Sequence, residues 1–163
     1  MLLTDAEYLR AAYRLARNSH DLSTQNGAIL VDPSTGEVVA SGWNDLPPQI
    51  RQLGERRLRP AKYLWTEHAE RAALYDAASR GIRTSGLWLF CPWLACADCG
   101  RALVMSGISR VVGHDLGLHH TRGDWADSIR TADTMFAEAG VRVTRLDAPL
   151  GVRFRFDGQE IDA

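Results

Sequence analysis

Apolar and polar positions along this chain follow two rhythms, one helical and one extended. Thr4 and Glu7 have the spacing of a capping box, and Leu9, Ala12, Tyr13 and Ala16 then recur at helical intervals, which predicts a first helix over about 5–18. Gly27-Ala28-Ile29-Leu30-Val31 and Glu37-Val38-Val39-Ala40-Ser41 are apolar, partly β-branched runs on either side of Asp32-Pro33-Ser34-Thr35-Gly36, the pattern of a β-hairpin. Residues 45–64 contain Pro47, Pro48 and Pro60 and predict no regular element. An alanine-rich helix over 66–80 stops at Gly81, followed by a buried strand over 86–91, a helix over 97–106 and a short strand over 110–112. Residues 112–124 read as a glycine-rich loop. Asp124 is then in place to cap an amphipathic helix that carries Trp125, Ile129, Ala132, Met135 and Phe136 on one face and ends at Gly140, before a last strand over 141–145. The order α-β-β-α-β-α-β-α-β implies an α/β fold in which a mixed five-stranded sheet lies between helices on both faces, a three-layer α-β-α sandwich. Beyond Asp147, Val152, Phe154 and Phe156 alternate, which suits an added strand or a cover for a neighbouring subunit.

A chain of 163 residues is enough for one domain with a sizeable core and short for two, so residues 1–163 are expected to form a single domain with its core over about 5–146 and a tail over 147–163. The formal net charge of -1 supplies no global field toward nucleic acid or an anionic membrane, and any polyanionic partner must be met locally. The first residues lack the basic and apolar regions of a signal peptide, and the near-apolar run over 87–97 is too short to span a bilayer, so a cytoplasmic protein is expected. Three cysteines are an odd count, which fits metal binding in a reducing compartment better than a disulfide framework.

Two of those cysteines, Cys96 and Cys99, lie three apart at a predicted helix start, while His68-Ala69-Glu70 opens the preceding helix. Cysteines three apart face the same way on a first helical turn and can chelate one ion; His68 adds a third ligand. Three ligands leave the fourth tetrahedral position of a zinc ion open, the arrangement of a catalytic site. His68 and Glu70 are two apart, so at about 100° per residue they cannot share a target from mid-helix and must approach it end-on. Glu70, unneeded as a ligand, is then placed as a proton shuttle for metal-activated water. The competing reading is a structural zinc site with a fourth ligand elsewhere, but His114, His119 and His120 lie in the predicted loop and Cys91 in an apolar run, where it reads as core.

Over roughly residues 5–115 these segments resemble the deoxycytidylate (dCMP) deaminases of the cytidine-deaminase-like superfamily. The resemblance rests on Ser19-His20-Asp21 with Thr24-Gln25-Asn26-Gly27-Ala28, on Gly42-Trp43-Asn44 with Pro47, on Lys62-Tyr63 ahead of His68-Ala69-Glu70-Arg71, and on Cys96 to Leu103 through Ser106-Gly107-Ile108. It implies a cytidine-deaminase-like fold, bound zinc, and hydrolytic deamination of a cytosine nucleotide, most directly dCMP to dUMP and ammonia. It also implies that Asn44 bonds the nucleoside, that the backbone around Ala69 and Cys96 holds the pyrimidine edge, that Ser19 and His20 belong to the phosphate loop, and that the chain forms a homo-oligomer. The basic cluster Arg51, Arg56, Arg57, Arg59 and Lys62 is a further candidate for phosphate contact.

The chain departs from the family at Ala95, where a proline usually precedes the first zinc cysteine, at Ala72, where an asparagine is common, and at Asp45, where members activated by dCTP carry glycine. Activation by dCTP is therefore not expected, and a modified pyrimidine substrate stays open. The rival readings are a tRNA adenosine deaminase, which shares the Gly-Trp-Asn and His-Ala-Glu motifs but suits a basic surface better, a deaminase of a free base or nucleoside, and a zinc-stabilised binding module without activity.

Overall fold

The computed structural model describes residues 2–121 and 123–163. Helix α1 (Asp5–Ala16) begins at the expected capping box, with the Thr4 hydroxyl and the Glu7 carboxylate each bonding the other's backbone amide. Strands β1 (Gly27–Val31) and β2 (Val38–Trp43) form the antiparallel hairpin, and β3 (Trp88–Phe90) pairs antiparallel with the other edge of β1. Strands β4 (Arg110–His114) and β5 (Arg142–Leu146) continue the sheet in parallel, giving the order β2-β1-β3-β4-β5.

Successive residues of the central strands point to opposite faces, and both faces are covered. Ala28, Leu30, Leu89 and Val111 pack against helices α3 (Ala69–Ser79), α4 (Ala97–Met105) and α6 (Asp124–Ala139). Ile29, Val31, Phe90 and Val112 meet α1 on the other side. This is the expected three-layer α/β arrangement. Close approach of α3 to the sheet requires glycine in β2: a Cβ at Gly42 would lie 2.4 Å from the amide nitrogen of Ala73. The glycine of the Gly-Trp-Asn motif is thus a packing residue. Gly140, in the left-handed conformation, ends α6 where the sequence predicts.

Three segments differ from expectation. Residues 62–65 form a single turn, α2 (Lys62–Trp65). Residues 112–124 are not one loop: β4 runs on to His114, which is buried, and α5 (Asp115–His120) follows directly. The cap position of α6 falls on Gly123, so Asp124 is its first helical residue and not the cap that the sequence predicts; the side chains of His119 and Asp124 lie outside the described residues. Finally, β6 (Arg153–Phe156) and β7 (Gln159–Asp162) form a separate hairpin whose phenylalanines face inward, Phe154 being 4% and Phe156 7% exposed. Phe154 meets the Tyr13 ring at 5.0 Å and Phe156 meets Trp93 at 5.0 Å. These side chains pack on their own chain, which leaves little of either for a neighbouring subunit. No helix among the described residues is long and apolar enough to cross a membrane.

Candidate active site

The starts of α3 and α4 converge. His68 occupies the cap position of α3 and Cys96 that of α4, both in extended backbone conformation, with Cys99 one turn into α4. The Nδ1 of His68 lies 3.5 Å from the sulfur of Cys96 and 3.5 Å from that of Cys99, and all three donor atoms fall within 4.8 Å of one another. A tetrahedral zinc with one nitrogen and two sulfur ligands needs nitrogen-to-sulfur separations of ~3.6 Å, from bonds of about 2.0–2.1 and 2.3 Å. The donor set fits the ion in chemistry and in spacing.

The two thiols share one hydrogen bond, which splits their proton affinities. The Cys96 thiol is lowered to about 3, chiefly by the hydrogen bond from Cys99 and then by that from His68, while the Cys99 thiol is raised by the same shared bond. Both sulfurs stand at the N-terminus of α4, whose partial positive charge favours thiolate. Arg71, one turn into α3, donates from Nη1 to Cys99 Sγ at 3.4 Å and is held by Glu67, whose Oε1 accepts from Nε at 2.6 Å. Ser128 of α6 accepts a hydrogen bond at Oγ from the amide of Ala97 at 2.8 Å, tying α6 to the ligand turn of α4.

Glu70 is the second residue of α3 and only 2% exposed. Burial pushes its carboxyl up to about 6, against the opposing pull of His68. With His68, Ala69 and Cys96 it lines an open cleft of about 90 Å³. A buried carboxylate with an affinity for protons near neutrality, beside a zinc-compatible ligand set, is equipped to take a proton from water and return it to a substrate.

The model of the cytidine and deoxycytidylate deaminase zinc-binding region matches residues 3–114, most of the chain. The protein belongs to this family. An uncharacterized deaminase in the luxG 3′ region of Aliivibrio fischeri is 30% identical over 128 residues, covering 78% of this chain and 83% of the relative. A probable deoxycytidylate deaminase of Drosophila melanogaster is 29% identical over 119 residues, 66% of this chain and 57% of that protein. Among solved structures, the dCMP deaminase of cyanophage S-TIM5 superposes with a TM-score of 0.65 at 24% identity, covering 87% of this chain and 96% of that one. The same phage enzyme has also been solved in complex with dCMP and dUMP. Membership makes this chain a zinc-dependent deaminase with the cytidine-deaminase-like fold.

The rest of the deaminase cleft is less local in sequence. Asn44 lines it, and its amide joins the two neighbouring backbones: Nδ2 donates to Thr24 O at 2.7 Å and Oδ1 accepts from Asn26 N at 2.7 Å. Ser19 and His20 do not line the cleft. Ser19 is buried with its hydroxyl donating to Asn44 O at 2.5 Å, and His20 is an exposed partner of Asp45, Nδ1 to Oδ2 at 2.6 Å. Of the basic cluster, only Arg59 and Lys62 reach the cleft; Arg57 pairs with Asp45 at 2.9 Å and Arg56 stacks over Trp65 at 3.9 Å. Asp45, glycine in dCTP-activated members, thus gathers His20 and Arg57 and pairs through its backbone with Glu67, the residue before His68.

Three aromatic side chains complete the walls. Trp125 of α6 lies 5.7 Å from the His68 ring, 5.6 Å from Trp93 and 6.5 Å from Tyr63. Sequence reasoning assigns Trp125 only to a helix face, and nothing in periodicity distinguishes a cleft wall from core. The one signal that could have pointed to it is compositional, five tryptophans in 163 residues.

Proposed function

We propose that this deaminase hydrolyses the exocyclic amine of a cytosine nucleotide, most directly converting dCMP to dUMP and ammonia. The observation that carries the reading is Glu70, buried at the cleft floor beside His68, Cys96 and Cys99. The names of the Drosophila and cyanophage relatives support the choice of a deoxycytidylate, and Arg59 and Lys62 supply local positive charge at the cleft.

In this reading His68, Cys96 and Cys99 hold the zinc, which when bound supplies Lewis-acid activation of water near neutral pH. Glu70 takes a proton from the attacking water and passes it to N3 of the cytosine ring. It then delivers the second water proton to the departing amine as the C4–N bond breaks, so that ammonia leaves and C4 keeps the oxygen as a carbonyl. Ala69, the first residue of α3, and the Trp125 ring confine the pyrimidine, and Asn44 keeps the 24–26 segment at the cleft edge.

The test is ammonia release from dCMP and from deoxycytidine by the zinc-loaded protein and its Glu70→Gln variant. Turnover of dCMP with a loss of about 10²–10⁴ in the variant, zinc content unchanged, is expected. Full activity in Glu70→Gln sinks the mechanism; turnover of neither compound sinks the substrate assignment.

A further inference from the structure

The cleft cations are each already engaged by a carboxylate, and the two partners differ in how firmly they are held. Lys62 Nζ bonds both oxygens of Asp21 at 2.9 and 2.7 Å, and Asp21 Oδ1 also accepts from the amides of Ser23 and Thr24. With four hydrogen bonds and 3% exposure, Asp21 is fixed in place. Arg59 instead reaches across the cleft mouth, its Nη2 donating to Ser23 Oγ at 2.8 Å and to Asp157 Oδ1 at 3.0 Å. The Asp157 side chain is 70% exposed and that of Arg59 56%, so their pairing is open to water.

Asp157 sits at the turn of the β6–β7 hairpin, beyond residue 114 where the family model ends. Its backbone is anchored: its amide donates to Thr24 Oγ1 at 3.1 Å, Gly158 N donates to Ser23 O at 2.7 Å, and Gln25 N donates to Arg155 O at 2.9 Å. The hairpin thereby clamps the 23–25 segment of the cleft wall, and a groove lined by Arg59, Trp93, Trp125, Phe156 and Asp157 continues outward from the cleft.

Resting on the nucleotide reading above, we infer that Arg59 and Asp157 form a charge gate, in which the substrate's 5′-phosphate displaces the Asp157 carboxylate from Arg59 and takes its place beside Ser23 Oγ. An exposed ion pair is weak, whereas a guanidinium bonded to a phosphate makes stronger charge-assisted hydrogen bonds, so the exchange runs toward the nucleotide. A neutral nucleoside leaves the pair closed and gains nothing from it. Asp157 needs only a side-chain rotation to yield. Arg59 therefore supplies the preference for phosphorylated over neutral ligands, and the C-terminal hairpin, through Asp157, holds that preference down.

The experiment titrates zinc-loaded wild type, Arg59→Gln and Asp157→Asn with dUMP and deoxyuridine by calorimetry, and measures kcat and KM with dCMP and deoxycytidine. Asparagine tolerates the positive φ of 48° at position 157, so the hairpin turn is kept. Asp157→Asn is expected to tighten dUMP relative to deoxyuridine about two- to fivefold, the factor an exposed ion pair is worth, and to lower KM for dCMP rather than raise kcat. Arg59→Gln is expected to weaken dUMP relative to deoxyuridine by about tenfold. An unchanged affinity ratio in either variant, or no binding of dUMP by the wild type, overturns the gate. If the ratios move as expected but wild type releases no ammonia from dCMP, the gate stands and the deamination assignment fails.

Discussion

Arg71, itself no ligand, ties the start of α3 to the ligand Cys99 of α4, Nη1 donating to Sγ at 3.4 Å. A guanidinium beside a thiolate offsets its charge and fixes the direction of its lone pairs, and partners of this kind are worth about 10–100-fold in metal affinity. Arg71→Met should weaken zinc binding by that factor in a chelator competition. Arg71→Lys should recover little, because the ammonium cannot bridge Glu67 and Cys99 in the fork geometry of arginine. Equal zinc affinity in all three proteins would remove Arg71 from the account.

Stability should fall below neutrality through His114. Its Nε2 faces Ala148 O at 3.0 Å, an acceptor only, so Nε2 carries the hydrogen and Nδ1 accepts from the Tyr13 hydroxyl at 2.7 Å. Burial holds the ring's pKa below its usual value. The unfolded chain therefore takes up a proton from about pH 6.5 downward while the folded chain does not. The contribution is fully present above about 6.5 and is lost as pH falls toward the depressed folded value. Urea unfolding at pH 7.5 and 5.0 should show a steeper loss for wild type than for His114→Gln; parallel losses would contradict this role.

The tail hairpin should contribute heavily to folding. Phe154 is buried against Tyr13 and Phe156 against Trp93, so Phe154→Ala should cost about 3–5 kcal/mol, the range for a buried aromatic truncation. Denaturant unfolding measures it. A loss under about 1 kcal/mol would mean the hairpin is only loosely attached.

The parts of this molecule legible in sequence are those whose partners are near in sequence. The capping box at Thr4, the hairpin around Asp32, and the ligand pair Cys96 and Cys99 each involve residues a few positions apart, where periodicity and spacing carry the information. The end-on approach of His68 and Glu70 follows from helical angles alone. The cleft mouth is different. Ser19 resembles a substrate contact by its neighbours in sequence, yet its hydroxyl turns inward to Asn44 O because a buried donor must be satisfied. Trp125 and Asp157 reach the cleft only after α6 and the tail fold back over it, and no local pattern marks either. Among five clustered cations, the short turn α2 and the Asp45 clasp decide which face the cleft, and both are tertiary features.

Gly42 offers the sharpest check on how the sheet positions the helix that carries Glu70. The β2 backbone and the first turns of α3 touch there, and an added methyl would lie 2.4 Å from Ala73 N and 2.7 Å from the Ala72 Cβ. Neither neighbour is a flexible side-chain tip, so α3 must shift away from β2. The helix cannot do so freely, because its start is held by the Asp45–Glu67 bridge and by the Arg71 contact to Cys99. Gly42→Ala should therefore cost about 1–3 kcal/mol through overpacking and, by moving Glu70 against the cysteines of α4, reduce turnover even where the protein remains folded. Urea unfolding and ammonia release, measured on zinc-loaded protein at a temperature where the variant is fully folded, separate the two effects. Wild-type turnover in a destabilised Gly42→Ala would show that the strain is absorbed away from the α3 start, and wild-type stability would show that α3 is not pinned to β2.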